Sequence, residues 1–246
     1  MRFYIADQHF FHNNLNTAMD KRGFPDAESM NEYMIARWNE RVKKKDEVVI
    51  LGDFSVGTPE QTAEILKRLA GKKFLVAGNH DRFAQSSRFD TSLFGWIHAY
   101  KEMSDNGRKV VLCHYPVMCY NGQYRVNSAG EPKTYMLYGH VHNTYDEDLI
   151  RRFARETRES TRLVRGEDAP THIPCQMINC FCMRSDYRPL TLDEWIALDR
   201  PEPARPGIFP RENALDRTEP ARPGIFPKGD RSEPRGAGKT FTFDGF

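Results

Sequence analysis

The chain has 246 residues, of which 39% are hydrophobic and 28% charged, and its formal net charge is +2. A chain of this length can bury one good core, so we expect one domain of about 200 residues plus an appendage. No apolar run reaches the ~18–20 residues of a membrane span, and the small net charge does not by itself indicate nucleic-acid binding. Because no leader pattern precedes the first predicted strand, we expect a cytoplasmic protein.

The first predicted element is a buried strand over residues 3–6, which runs directly into Asp7 and His9. Residues two apart in extended chain point to the same side, so a carboxylate and an imidazole face one way here. Taken alone, such a pair is more often a satisfied core histidine than half of a metal site.

Helices and strands alternate along the chain that follows. Residues 29–42 carry an apolar stripe at helical spacing, and Thr58 begins a second helix, with Gln61 completing a capping box. Short apolar runs predict further strands at residues 48–51, 74–77, 110–113, 135–138 and 177–182. This pattern predicts an α/β fold with central strands buried on both faces. Two long excursions, 115–133 and 143–174, interrupt it, and the second contains a charged helix.

The composition changes after Asp199. Residues 200–246 hold eight of the fifteen prolines, and the sequence EPARPGIFP at 202–210 recurs at 219–227. We therefore expect a domain over 1–199 and a Pro/Arg-rich extended tail over 200–246. The alternative is that each Gly-Ile-Phe-Pro unit docks an aromatic anchor on this domain or on a partner protein.

Two further features have an ordinary and a functional interpretation. Cys175, Cys180 and Cys182 lie near one another, but no CxxC pair is present, so reduced structural thiols are favoured over a zinc cluster. Six arginines lie between Arg151 and Arg165, where an exposed helix face is favoured over a phosphate-facing surface.

Polar side chains directly follow each of the first five predicted strands, the last of which ends at Tyr138. The carboxyl ends of strands in open α/β sheets converge on one crevice, so these side chains should meet there. The seven candidate ligands are Asp7, His9, Asp53, Asn79, His114, His140 and His142. A catalytic zinc needs three protein ligands, so seven suffice for two ions. Two divalent cations about 3.5–4 Å apart would satisfy groups that each cost roughly 1–3 kcal/mol when buried unpaired.

These residues lie in five motifs that resemble, in this order, the signature of the calcineurin-like metallophosphoesterases. The motifs are Asp7-Gln8-His9, Gly52-Asp53, Gly78-Asn79-His80-Asp81, His114 and Gly139-His140-Val141-His142. The resemblance extends over residues 1–199, and the Asp186–Leu192 stretch is similar to a small bacterial and phage subgroup. It implies a two-sheet β-sandwich flanked by helices (α/β/β/α), which replaces the single parallel sheet expected from periodicity alone.

The resemblance also implies the ligand set. Asp7, His9 and His142 would hold the first metal. Asn79, His114 and His140 would hold the second, and Asp53 would bridge the two. Mixed oxygen and nitrogen ligands suit manganese, iron, zinc and nickel alike, and of these we expect manganese.

The implied activity is hydrolysis of a phosphomonoester or phosphodiester by attack of a metal-bridging hydroxide. His80 would protonate the leaving oxygen and Asp81 would orient its ring. The loop after His114 should overhang the crevice and, with His12, bind a substrate that we expect to be nucleotidic. The candidate contacts are His12, Tyr120, Asn121, Tyr124 and Arg125.

Two alternatives stay open. One is a nuclease that uses the arginines of residues 151–165 to bind DNA or RNA. The other is a non-catalytic scaffold that uses the tail for docking. The complete ligand set speaks against the scaffold.

Overall fold

A computed structural model describes residues 1–163, 166 and 168–199. The expected tail with its repeat therefore lies outside the described residues. The strands in this part of the chain are β1 Arg2–Ile5, β2 Glu47–Ile50, β3 Lys72–Val76, β4 Phe94–His98, β5 Tyr100–Asp105, β6 Arg108–Cys113, β7 Thr134–Tyr138, β8 Thr161–Arg162, β9 Thr171–His172 and β10 Gln176–Asn179. The α-helices are α1 Ala27–Arg41, α2 Pro59–Arg68, α3 Tyr145–Glu159 and α4 Leu192–Leu198. No helix in the described ranges is long and apolar enough to cross a membrane.

Eight of the strands form two four-stranded sheets. The first has the order β1-β2-β3-β4 and is parallel throughout, while the second has the order β10-β7-β6-β5, with only β5 antiparallel to its neighbour. The six strands expected from apolar runs are present. The sequence analysis missed β4 and β5, because both are edge strands whose exposed faces dilute the apolar signal.

Each sheet buries both of its faces, which gives four layers. Along β1, Phe3 and Ile5 face the core that contains α1 and α2, whereas Tyr4 belongs to the core between the sheets. A third core packs the outer face of the second sheet against α3. This alternation follows from the two-residue period of a strand, and it confirms the α/β/β/α sandwich.

Side-chain caps fix where the helices begin. At the start of α2, the Thr58 hydroxyl accepts from the backbone N–H of Gln61 at 3.2 Å, and the Gln61 side chain accepts from the Thr58 N–H at 2.9 Å. The predicted capping box is therefore confirmed. Thr191 and Glu194 form a second box at α4, a helix that the sequence analysis did not predict.

The two sheets meet where β1 passes the end of β10. Ala6 donates its N–H to the carbonyl of Cys180 at 2.8 Å and accepts from the N–H of Cys182 at 3.0 Å. The indole of Trp195 on α4 donates to the carbonyl of Tyr4 at 2.9 Å. These contacts hold the start of the first polar turn, at Asp7, against both sheets.

Candidate metal centre

The turns that carry the candidate ligands have unusual backbone conformations. Five candidate ligands have a positive φ: Asp7 (59°), His9 (51°), Asp53 (52°), His140 (71°) and His142 (50°). This region costs a residue other than glycine roughly 1–2 kcal/mol, because its Cβ approaches the following carbonyl oxygen. Such strain persists only where the surrounding structure determines the conformation, and it is typical of functional sites.

Three glycines leave room for the candidate ligands. A Cβ at Gly52, Gly78 or Gly139 would lie closer than 3.0 Å to the side chain of His114, Asp53 or Asp7, respectively. Any larger residue would displace a ligand side chain, which explains why glycine stands beside three of the five motifs.

The first group consists of Asp7, His9 and His142, all of them buried. The Nε2 atoms of His9 and His142 are 3.1 Å apart, and the His142 Nε2 lies 3.7 Å from Asp7 Oδ1. Two imidazole nitrogens that bind the same ion, each at ~2.1 Å, would be separated by a similar distance. The second carboxylate oxygen of Asp7 is buried without any hydrogen-bond partner, so this group fits a cation.

The second group consists of Asp53, His114 and His140, and Asn79 lies next to it. The His114 Nε2 is 3.2 Å from the Asn79 Oδ1, while its Nδ1 is 2.8 Å from the carbonyl oxygen of Leu51. Because a carbonyl can only accept, the proton belongs on Nδ1, and the Nε2 lone pair faces Asn79. Unlike the first group, this one includes exposed residues, His140 and Asn79.

The carboxylate of Asp53 lies between the two groups. Its Oδ2 is 3.5 Å from the His9 Nε2 and 3.4 Å from the His114 Nε2. Its Oδ1 accepts from the backbone N–H of His80 at 2.8 Å, which fixes the orientation of the carboxylate. One oxygen of Asp53 thus faces both groups.

Burial controls the charges at the centre. It lowers the pKa of His9 to about 2, so this imidazole is neutral and keeps a lone pair. Burial also raises the pKa of Asp7 to about 6. Burial alone would raise the pKa of Asp53 as well, but the hydrogen bond and charge of His114 lower it to about 2. Burial alone would lower the pKa of His114, but its hydrogen bond to Asp53 and the charges of Asp7 and Asp53 raise it. His9 beside Asp53 is thus a neutral imidazole beside a carboxylate, which are the ligand states that divalent cations require.

Asp81 holds backbone rather than the His80 ring. Its carboxylate accepts from the N–H groups of Gly78 at 2.8 Å, Asp53 at 2.9 Å and Phe54 at 2.7 Å. Both oxygens are therefore occupied by the turns that carry Asp53 and His80. These hydrogen bonds do not support the expected role of orienting the His80 imidazole, and Asp81 instead fixes the path of the ligand-bearing backbone.

His80 and His12 lie at the edge of the first group, and both are half-buried. The ring centroid of His80 is 5.1 Å from that of His9 and 5.9 Å from that of His12. The His12 Nδ1 lies 3.4 Å from the His9 Nδ1. Both histidines are thus close enough to the centre for the roles predicted for them, which stay predictions.

The expected substrate loop does not cover this centre. The Tyr120 ring is buried and its hydroxyl accepts from the backbone N–H of Gln176, at the start of β10, at 2.6 Å. Arg125 lines a surface cavity with Arg108 and Thr134, the first residues of β6 and β7. That cavity lies at the opposite end of the strands from His114.

The other two expected contacts are also engaged elsewhere. The Asn121 amide donates to both oxygens of Glu102 on β5, at 3.0 and 3.1 Å, and the Tyr124 ring lies beneath the guanidinium of Arg162. The prediction that these loop residues overhang the crevice is therefore wrong. Because β7 runs parallel to β6, the chain must return from the carboxyl end of β6 to the amino end of β7, and this return carries the loop away.

Tyr115 is the loop residue that stays at the centre. Its ring centroid lies 5.1 Å from that of His114 and 4.6 Å from that of His140, and its hydroxyl is 3.5 Å from the Asn79 Oδ1. The sequence analysis placed the loop after His114 over the crevice, but its candidate contacts did not include this tyrosine. Its position directly after His114 was the available signal.

The sequence analysis also missed Asp20, whose Oδ1 lies 2.7 Å from the Nδ1 of His142. Burial alone would raise the pKa of Asp20, but the hydrogen bond and charge of His142, together with Arg22, hold it below its ordinary value. No strand leads into Asp20, so the strand-end pattern could not reveal it.

Comparison with known proteins agrees with this architecture. A family model, the calcineurin-like phosphoesterase superfamily domain, matches residues 4–164. The chain is 31% identical over 148 residues to the uncharacterized protein MJ1445 of Methanocaldococcus jannaschii, a match that covers 59% of this chain and 72% of that relative. The crystal structure of the protein of unknown function AQ665 from Aquifex aeolicus has the same fold, with a TM-score of 0.55 and 20% identity over 80% of this chain and 98% of that one.

The chain therefore belongs to the calcineurin-like phosphoesterase superfamily. Members of this superfamily are mainly metal-dependent phosphoesterases, and they typically bind divalent metal ions. The Asp and His groups described above are the candidate metal-binding groups of this chain.

Proposed function

We propose that this protein is a dinuclear metal-dependent phosphoesterase that hydrolyses a phosphomonoester or a phosphodiester. The observation that carries the proposal is the place of Asp53, whose Oδ2 lies 3.5 Å from the His9 Nε2 and 3.4 Å from the His114 Nε2. A carboxylate oxygen that faces imidazole nitrogens of both groups is the arrangement that two adjacent cations need.

The two groups support the proposed ligand assignment. The first cation would be held by Asp7, His9 and His142, the second by Asn79, His114 and His140, with Asp53 in contact with both. The unpartnered buried oxygen of Asp7 supports this assignment, because a cation would satisfy it. Oxygen and nitrogen ligands together suit manganese, which we propose as the first metal to test.

When bound, two such cations lower the pKa of a water and neutralise the charge that develops on the phosphoryl group. His80 lies at the rim beside His9, half-buried, with its backbone N–H held by Asp53. An imidazole in that position can give a proton to the oxygen of the departing alcohol, which would otherwise leave as an alkoxide.

The substrate we propose is a small phosphoester without further specification. The expectation of a nucleotide rested on loop residues that lie at the other end of the second sheet. The side chains that flank the centre are His12 beside the first group and Tyr115 beside the second. Both can donate hydrogen bonds to phosphoryl oxygens.

The test uses the full-length protein after chelation and reloading with Mn²⁺. We expect turnover of p-nitrophenyl phosphate, of bis(p-nitrophenyl) phosphate, or of both, in the reloaded protein only. Asp53→Asn should abolish turnover because it removes the shared charge. Asp148→Asn is the matched control, since Asp148 is an exposed residue on α3 outside the site, and it should be as active as the parent.

Two outcomes would contradict the proposal. If protein that binds two Mn²⁺ ions turns over neither ester, a non-catalytic role is favoured. If it cleaves single- or double-stranded DNA or RNA on gels while leaving both small esters intact, the proposed small substrate is wrong and the activity is that of a nuclease.

A further inference from the structure

Residues 17–26 connect the 3₁₀ turn Asn13–Asn16 to α1 and have no regular secondary structure. This segment nevertheless buries two charged side chains. The side chain of Asp20 is 2% exposed and that of Arg22 is 0% exposed. Their charges pair with each other, with Arg22 Nη2 and Nε at 2.8 and 2.9 Å from Asp20 Oδ2. Burying an ion pair carries a desolvation cost that is offset only when the remaining hydrogen-bonding positions are also satisfied. The partners of these positions therefore indicate what the pair does.

The remaining oxygen of Asp20 contacts the candidate ligand His142. Asp20 Oδ1 lies 2.7 Å from the His142 Nδ1. Because an ionised carboxylate only accepts, the ring proton belongs on Nδ1 and the lone pair on Nε2. That Nε2 is the atom 3.1 Å from the His9 Nε2, inside the first group. Asp20 thus selects the tautomer that could bind a cation there.

The remaining donors of Arg22 contact the turn between the other two members of that group. Arg22 Nη1 donates to the carbonyl of Gln8 at 2.6 Å, and Nη2 donates to the carbonyl of Asp7 at 2.9 Å. These carbonyls belong to the turn in which Asp7 and His9 have left-handed conformations. A planar guanidinium can hold two successive carbonyls and a carboxylate at once, which an ammonium cannot.

We infer that Asp20 and Arg22 are positioning residues for the first candidate cation site. Asp20 fixes the tautomer and the ring orientation of His142. Arg22 holds Asp20 in place and ties it to the strained turn of Asp7 and His9, so that all three candidate ligands are oriented by one buried pair. This inference rests on the proposed function, because it assigns the pair to a metal site.

The first measurement reads the tautomer directly in metal-free protein. Long-range ¹H–¹⁵N spectra distinguish a protonated from an unprotonated ring nitrogen, and His142→Gln identifies the His142 signals. We expect a single form with the proton on Nδ1 in the parent and a mixture of both tautomers in Asp20→Ala. An unchanged His142 tautomer in Asp20→Ala would overturn the role of Asp20, whether or not the protein binds metal.

The second measurement is Mn²⁺ affinity by competition with a chelator. Removing the carboxylate partner of a metal-binding histidine typically costs ~10- to 100-fold in affinity, so we expect that loss at one of two sites in Asp20→Ala. Arg22→Lys should weaken the same site. A structural role alone would predict equal loss at both sites or at neither, and either result would overturn the inference.

The controls keep the two proposals separable. Asp148→Ala removes one exposed carboxylate from α3 and should leave both the His142 tautomer and the Mn²⁺ affinities unchanged. If Asp20→Ala does not fold, Asp20→Asn replaces it and should change both readouts in the same direction by less. If the parent protein binds no Mn²⁺, the proposed function fails, while the tautomer measurement still decides whether Asp20 orients His142.

Discussion

The two candidate cation groups differ in how the protein surrounds them. In the first, Asp7, His9 and His142 are 0%, 2% and 2% exposed, and two of them adjoin the buried pair of Asp20 and Arg22. In the second, His140 and Asn79 are exposed, and the side chain of Tyr115 lies beside both. The chain thus builds one closed group and one open group that share Asp53.

Because of this difference, we expect the two groups to bind cations differently. Ligands that are buried and held by further hydrogen bonds lose little entropy when a cation binds, whereas exposed ligands must be ordered at that moment. Under the proposed function, the closed group is therefore suited to retain a cation, and the open group to exchange solvent for substrate. The following predictions test that contrast, from the largest expected effect to the smallest.

His80→Ala should lower kcat for p-nitrophenyl phosphate by about 10²- to 10⁴-fold, the usual contribution of a general acid. Because His80 lies beside the closed group without belonging to it, Mn²⁺ content should stay at the parental level. Steady-state kinetics measure kcat, and metal analysis of the same sample measures the Mn²⁺ content. A kcat near the parental value would remove His80 from the mechanism.

His9 should make the metal-free protein less stable in acid. Its pKa in the fold, about 2, lies below the ordinary value of 6.5 because the ring is buried. As pH falls through 6.5, the unfolded chain binds a proton that the folded chain does not, so stability is lost on acidification. Between pH 6.5 and 5.0 this amounts to at most about 2 kcal/mol, at ~1.4 kcal/mol per pH unit.

Urea unfolding of chelated protein at pH 7.5 and 5.0 measures this loss. His9→Gln cannot take up the proton, so its stability should change less between the two pH values than that of the parent. Equal changes in both proteins would mean that burial does not keep His9 neutral.

The two cations should leave in two steps. On titration with a chelator, we expect the ion of the open group to dissociate first, with an affinity at least ~10-fold lower, because two of its ligands, His140 and Asn79, are exposed. Electron paramagnetic resonance of bound Mn²⁺ follows the change from coupled pair to single ion. Loss of both ions in one step would contradict the contrast between the groups.

Tyr115→Phe should have the smallest effect. Losing one hydroxyl near the open group should raise KM a few-fold, equivalent to about 0.5–1.5 kcal/mol, with kcat nearly constant. Tyr124→Phe is the matched control, because that ring lies beside Arg162 and away from the centre. Equal effects of the two substitutions would exclude a specific role for Tyr115.

Much of this architecture was readable from local sequence rules. Short apolar runs located six strands, and the Thr58–Gln61 spacing located the start of α2. The strand-end pattern selected Asp7, His9 and five further residues that the fold brings together. The first two successes depend on short-range chemistry: short apolar runs for the strands and side-chain caps for the helix.

The failures concern long-range geometry. Which way the loop after His114 travels depends on the parallel pairing of β6 with β7, which no local pattern encodes. Asp20 and Arg22 resemble ordinary polar loop residues until their partners at His142 and Gln8 are known. Asp81 looked like a partner of its neighbour His80, whereas its actual partners lie on two separate turns.

The join between β1 and the end of β10 has a consequence for how the protein is made. The strand that leads into Asp7 pairs with β2, but its other backbone partners, at Cys180, Cys182 and Leu190, lie far later in the chain. Contacts between residues so distant along the chain form slowly, because the conformational entropy of the long intervening loop is lost before the contacts stabilise the fold. The first motif to leave the ribosome should therefore be among the last to acquire its native shape, and a nascent chain arrested before residue 180 should lack a formed centre.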